Sequence, residues 1–293
     1  QDCDVIVEVI GGTTTAWDIV KEGLVQGKIV VTANKALVST YMKELDEMNQ
    51  TTTGTLAYEA SVAGGIPIIK SILRDVQFGT ADAFGVSRVS GVVNGTTNYI
   101  LTCMEESGLE YDEALRMAQD KGFAESDPSA DVHGWDARAK IAILQRLAFG
   151  VTVNPETIVC EGITKVQKVD FEYARTMGCK IKLVATTVGN STGVRAWVLP
   201  SLVSLDNPIA TTSGVKNIVS VYHETMGPVS YTGFGAGGEA TGHSVVADIF
   251  NCLEGNTPAR WFGSAEYCHM DKVSDISLRF YIRLTVVDQV GIV

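Results

Sequence analysis

The 293 residues hold no apolar run near the ~20 needed to cross a bilayer, and stretches such as 141–144 are only a few residues long. No basic-then-apolar leader opens the sequence, so a soluble protein is expected. Positive charge is scarce. Lys and Arg number 23 against 34 Asp and Glu, a net charge of −11. A phosphate backbone or an anionic membrane would be repelled, and neither nucleic acid nor a membrane is an expected partner. Six cysteines are scattered at 3, 103, 160, 179, 252 and 268 with no C-x-x-C pair. That pattern fits reduced thiols in a cytoplasmic or plastid-stroma compartment better than disulfides or zinc. His133, His223, His243 and His269 share no metal spacing with cysteine, and no P-loop or nucleophile elbow is present, which removes support for kinase and serine-hydrolase chemistry.

What is present is a packed globular composition, 45% hydrophobic and 19% charged, long enough for about two domains. Residues 5–10 read as a buried strand, 15–26 as a helix, 28–32 as a strand and 36–49 as a helix. This β-α-β-α rhythm is the signature of a parallel sheet. A strand over 55–60, a helix over 66–74 and a strand over 86–93 follow, then helices over 97–106, 111–121 and 135–149. Strands return between 160 and 229, for example 181–188 and 194–198, before a helix over 241–252. Apolar residues at 278, 280, 282, 284 and 286 alternate at the strand period, and both ends read as cut within a domain.

Carboxylates crowd the stretch from Gly122 to Lys140. Glu125, Asp127, Asp131 and Asp136 lie in or beside a loop that opens a helix, where the macrodipole favours negative charge. Asp136 and Lys140 are four apart and share a helix face, which ordinarily makes a weak surface ion pair. Here the helix beyond them is apolar nearly all round, as buried helices are. A partly buried ammonium among acids is a capable proton donor, and the acids can hold a cationic substrate group. Both accounts stand on the residues alone.

Gly233-Phe234-Gly235-Ala236-Gly237-Gly238 matches G-x-G-x-x-G in form, but it comes late, before the last helix, and does not open a first βαβ unit as a dinucleotide fingerprint does. A tight turn is the better reading. Gly11-Gly12-Thr13 sits between a strand and a helix, where its amides could face a nucleotide or simply cap the helix. Residues 59–67 end a strand in a turn whose carbonyls could receive a hard cation, or form an ordinary strand-to-helix turn.

Six segments together resemble homoserine dehydrogenases: VIGGTTTAWDIV (9–20), VVTANKAL (30–37), YEASVAGGIPII (58–69), GVVNGTTNYIL (91–101), GFAESDPSADVHGWDARAKIAIL (122–144) and GAGGEATGHSVVADI (235–249). The closing LRFYIRLTVVDQVGIV (278–293) looks like the start of an ACT-type regulatory domain.

The resemblance implies an NADPH- or NADH-dependent oxidoreductase that reduces L-aspartate 4-semialdehyde to L-homoserine, on the route to threonine, methionine and isoleucine. It matches Lys140 to the proton donor and Lys35 to a second lysine near cofactor and substrate. Glu125, Asp131 and Asp136 match substrate-binding acids, and Thr13, Lys35, Gly122 and Gly237 match nucleotide contacts. The carbonyls of Glu59, Val62, Gly64 and Ile66 match a structural sodium site. The implied fold class is α/β, with an incomplete Rossmann nucleotide-binding domain (1–55, completed by 236–255), an α+β substrate and dimerisation domain (56–235) and a begun ACT-like domain (275–293). A homodimer is implied as well. Because the glycine fingerprint and ribose selector should lie before Gln1, these 293 residues alone are expected to bind nucleotide poorly and to be almost inactive. A non-catalytic amino-acid-sensing module on the same scaffold is the alternative, which the intact acid and lysine set disfavours.

Overall fold

A computed structural model describes residues 3–78, 85–190, 193–256 and 278–286. Two sheets organise them. In the first, β1 (Val5–Glu8), β2 (Ile29–Thr32) and β3 (Thr55–Ala57) are parallel and lie in that order. Helix α1 (Thr14–Val25) returns the chain from β1 to β2, and α2 (Lys35–Thr40) with α3 (Met42–Thr51) from β2 to β3. Alternation along β2 sorts the two faces. Val30 packs with Ala16, Val20 and Leu24 of α1, whereas Val31 joins a separate cluster with Ala57, Val245 and Cys252. The one helix expected over 36–49 is broken at Tyr41, whose ring stacks on Trp17 with centroids 4.2 Å apart. The third strand stops at Ala57 rather than at 60, because a 3-10 turn over Glu59–Ser61 follows it.

The chain then crosses to a second lobe through α4 (Ile68–Phe78) and β4 (Val86–Val92). Helices α5 (Gly95–Ser107), α6 (Tyr111–Asp120), α7 (Ser129–Val132) and α8 (Trp135–Phe149) come next. After these lie β5 (Val159–Cys160), α9 (Lys168–Thr176), β6 (Cys179–Asn190), β7 (Gly193–Ser204), α10 (Pro208–Thr211), β8 (Lys216–His223) and β9 (Gly227–Phe234). The six strands form one sheet in the order β5-β7-β6-β4-β8-β9, antiparallel except for the parallel pair β5 and β7.

On one face Val89, Ile181, Leu183, Ala185, Ala196, Val198, Val219 and Val221 join the main core under the helices. On the other, Val92, Val184, Val203 and Ile218 meet Ile209 and Ala210 of α10. Hydroxyl pairs, Ser90 with Thr186 at 2.6 Å and Ser220 with Ser230 at 2.7 Å, lace that second face.

A last helix, α11 (Gly238–Leu253), returns to the first sheet and packs on β2 and β3. Helix α8 touches α2, α4 and the second sheet, so it has no free face, and this is why its sequence is apolar nearly all round. A buried ion pair fastens it to the first lobe: Arg146 Nε donates to Asp46 Oδ2 at 2.9 Å, both residues being almost inaccessible.

The strand expected at 278–286 does not form. Those residues carry no regular secondary structure, since a strand needs a ladder partner and none is present among the described residues. Residues 275–277 and 287–293 of the expected ACT-like start lie outside the described residues, as do Cys268 and His269. The five described cysteines are free thiols. No described helix is long and apolar enough to cross a membrane.

Candidate active site

The end of β4 and the start of α8 build the centre. Gly134, at φ 82°, starts α8 in a left-handed conformation that glycine adopts without strain. Asp136 follows in the first turn, and Lys140 one turn later on the same side. Lys140 Nζ donates to Asp136 Oδ2 at 2.7 Å and to the Val93 carbonyl at 2.7 Å. An ammonium has three donors, so one remains for a substrate oxygen. Of the two accounts the pair is the buried one, with Asp136 and Lys140 only 8% and 7% exposed.

Asn94, the first residue after Val93, ties the acids together. Its Oδ1 accepts from Thr97 N at 2.8 Å, which caps α5. Its Nδ2 donates to Asp131 Oδ1 at 2.6 Å and to Asp136 Oδ2 at 2.9 Å. Lys35 reaches in from the other lobe, with Nζ 3.0 Å from Asp136 Oδ1. Its side chain is 41% exposed, whereas the Asp136 side chain is 7% exposed, so Lys35 lines the cleft between the two sheets.

The charges act on one another. Burial works to raise the Asp136 carboxyl, but the Lys140 and Lys35 ammonium groups and the Asn94 amide outweigh it and hold the group well below the usual carboxylate range. Asp131 is raised, chiefly by burial and further by the charge of Asp136, against the hydrogen bond from Asn94. Lys35 is raised by the charge of Asp136, with smaller help from Asp131 and Glu125 and opposed by burial. Glu125 is exposed at the rim, its carbonyl accepting from Gln119 Nε2 at 3.1 Å. The result is a cleft of three acids and two lysines gathered from α2, α7, α8 and the loop before α7.

The expected nucleotide contacts lie on separate loops. Thr13 is the N-cap of α1, beside Gly11 and Gly12 at φ 81° and 71°. Gly122, at φ 72°, follows α6, and Gly237, at φ 110°, begins α11. All four glycines have open space where a Cβ would sit, so a ligand can approach their backbone closely. This fits a nucleotide at the N-terminus of α1.

The Gly11-Gly12 loop is held by residues that sequence reasoning did not select. Glu8, 1% exposed, accepts from Ile10 N at 2.9 Å, Gly11 N at 3.3 Å and Thr32 Oγ1 at 2.5 Å. Asn34 Nδ2 donates to the Gly12 carbonyl at 2.7 Å and, by capping α2 through Leu37 N, also sets Lys35. A buried glutamate at the end of a strand and an asparagine just before Lys35 were the available signals. Asn94, in N-G-T-T after a strand, was legible as a helix cap but not as the bridge between two acids.

The candidate cation ligands share one turn. Ala63 and Gly64 are both left-handed, at φ 56° and 51°. The Gly64 carbonyl accepts from Ser244 Oγ at 2.8 Å, and the Ile66 carbonyl from Ile68 N at 2.7 Å. Each carbonyl keeps a second lone pair, so an all-carbonyl set for a hard cation is chemically compatible with the turn. The Glu59 side chain is occupied elsewhere, accepting from Ile69 N and Lys70 N at 2.8 and 3.0 Å, and burial pushes its carboxyl up to about 7.

Residues 67–250 match the family model described as homoserine dehydrogenase. The chain belongs to the homoserine dehydrogenase family. Homoserine dehydrogenases are oxidoreductases of amino-acid biosynthesis, and that of Mycobacterium leprae is 39% identical over 299 residues, spanning 99% of this chain and 67% of its own length. A solved homoserine dehydrogenase from Thiobacillus denitrificans superposes with a TM-score of 0.81 at 38% identity, covering 87% of this chain and 59% of that one. A hyperthermophilic archaeal homoserine dehydrogenase, solved in complex with NADPH, superposes with a TM-score of 0.71 at 28% identity over 86% of this chain and 72% of its own. This chain therefore spans about two thirds of the curated relative and less of the first solved one.

Proposed function

We propose that the protein reduces L-aspartate 4-semialdehyde to L-homoserine with NADPH or NADH, and that Lys140 is its proton donor. The observation that carries the reading is the shared carboxylate of Asp136, which receives Lys140 at 2.7 Å and Lys35 at 3.0 Å in the cleft between the two sheets. NAD(P)H, when bound, supplies the hydride. Thr13, Lys35, Gly122 and Gly237 hold the nucleotide, with the open glycines admitting its backbone approach.

Glu125, Asp131 and Asp136 hold the α-ammonium of the substrate and turn its aldehyde toward Lys140. As negative charge grows on the aldehyde oxygen, the Lys140 ammonium meets it and its free N–H supplies the proton. Asp136 and the Val93 carbonyl fix that nitrogen in place throughout.

The carbonyls of Glu59, Val62, Gly64 and Ile66 hold a sodium ion that braces the crossing between lobes. A melting temperature raised by sodium but not by choline, at equal ionic strength, is the expected result. The face of the six-stranded sheet that bears Trp197, Leu199 and the Arg88–Tyr222 pair, its guanidinium 3.6 Å from the ring centre, joins two copies in a homodimer. Sedimentation at micromolar concentration is expected to give twice the chain mass.

The decisive experiment is Lys140→Ala in the full-length enzyme. Turnover is expected to fall by about 10²–10⁴-fold, the usual worth of a positioned acid, with NADPH affinity unchanged. Near-normal kcat would remove Lys140 from the mechanism.

A further inference from the structure

The chain passes between the lobes twice, outward through residues 58–67 and back through residues 235–237, and the two crossings lie on each other. Gly65 N donates to the Phe234 carbonyl at 3.1 Å, and Ser244 of α11 to the Gly64 carbonyl at 2.8 Å. A Cβ on Gly64 would lie 2.7 Å from the Gly235 carbonyl, so the backbones approach as closely as glycine allows.

Beneath them is Asn217, on β8 opposite Gly233 and fully buried. Neither its Nδ2 nor its Oδ1 has a hydrogen-bond partner among the described residues. Exchanging the two atoms would change nothing, since both are unpaired. The return crossing is seated on this amide. A Cβ at Gly235 would come within 1.7 Å of Asn217 Nδ2, which is why position 235 holds glycine.

Buried amides are nearly always paired in native proteins, because an unpaired one forfeits its hydration without return. A group needing both a donor and an acceptor is complementary to a peptide unit, which presents one of each. The backbone in contact with Asn217 is that of the return crossing. It leads directly to Gly237, whose φ of 110° only glycine tolerates well, and then to α11 on the nucleotide lobe.

We infer that Asn217 is a positioning residue for the reaction, whose side-chain amide pairs with the 235–236 backbone when the nucleotide lobe closes over Lys140. Pairing removes the cost of the orphaned amide only in the closed arrangement and so biases the lobes toward it. The inference rests on the dehydrogenase reading above and adds a residue that touches neither substrate nor reacting atoms.

The test compares, in the full-length enzyme, the wild type with Asn217→Leu, which keeps the branched shape and removes the polar atoms. Without ligand, the variant is expected to melt no lower than wild type, since an unpaired amide has been taken out of the core. With NADPH, its KM for the nucleotide is expected to rise about tenfold, equivalent to about 1.4 kcal/mol, and the NADPH-induced hydrogen-exchange protection of residues 233–238 is expected to disappear. Asn217→Asp, which keeps the shape and loses the donors, is expected to lose the same protection.

Unchanged KM and full protection in the Leu variant would overturn the inference. So would a lower melting temperature with faster exchange at 233–238 before NADPH is added, because the amide would then be an ordinary structural prop. Failure of the wild type to bind NADPH at all would instead remove the functional reading itself and take this inference with it.

Discussion

Asp136 Oδ2 and Lys140 Nζ lie 2.7 Å apart on one face of α8, each side chain less than a tenth exposed, and the second oxygen of the same carboxylate meets Lys35 from the other lobe. One buried acid therefore orients two lysines across the cleft. Its negative charge offsets the cost of dehydrating Lys140, and removing it would leave that ammonium without its directly bonded countercharge in the core.

Asp136→Asn keeps the size and removes the charge. At pH 7 the variant is expected to unfold more readily by about 3–5 kcal/mol, the usual cost of breaking a buried pair, as read from urea denaturation. The carboxyl is depressed below its ordinary value of 3.8, so the stability it contributes is present above that pH and lost as pH falls. The gap between wild type and variant should narrow below about pH 4. A gap that stays constant with pH would mean that Asp136 acts through shape and not charge.

Asn94 offers a different separation. Asn94→Ala removes the α5 cap, costing about 1 kcal/mol, and frees both Asp131 and Asp136 from their shared donor. Asn94→Asp keeps the cap acceptor but sets a third carboxylate against the first two. If the bridge between acids matters to catalysis, both variants lose kcat while only the alanine variant also loses the cap. A loss of stability confined to the alanine variant, with normal kcat in both, would reduce Asn94 to a helix cap.

Lys182 on β6 is 1% exposed and donates to Asn98 Oδ1 at 3.0 Å and to the Thr212 carbonyl at 2.7 Å, tying the sheet to α5 and to the end of α10. Burial pushes its ammonium down to about 8 from 10.5. The folded protein therefore binds fewer protons than the unfolded chain between pH 8 and 10.5, and stability from this group rises across that window and is lost as pH falls through about 8. Relative to Lys182→Met, the wild type should gain about 3 kcal/mol between those limits. Urea titrations of both proteins at pH 7.5, 9 and 10.5 check the sign, and parallel curves would contradict it.

Much of the layout was legible because short-range physics wrote it. Short buried-strand runs in a β-α-β-α rhythm marked the first sheet, and the all-round apolar run after Ala137 marked α8 as buried before its neighbours were known. The second half of the large sheet was harder to divide. Along β9 only every other residue is partly buried, so its hydrophobic signal is weak, and α9 is a short helix with one core face. The alternating residues at 278–286 read as a strand that the structure does not contain, since alternation states which faces a strand would have and not whether a partner exists. Instead Tyr281 Oη donates to Asp170 Oδ1 at 2.8 Å, and Arg283 pairs with the same carboxylate.

The sequence by itself determined which chemistry is available: acids and lysines in a glycine-punctuated order that the homoserine dehydrogenase family shares. Tertiary structure decided which of those groups meet. Lys35 and Asp136 are 101 residues apart and come together only because α2 packs against α8, and Asn94 reaches both Asp131 and Asp136 only because β4 ends where α8 begins. Local pattern records a residue's burial and period. The distance between two charged atoms depends on how whole elements dock, and docking is settled by the packing of the entire core.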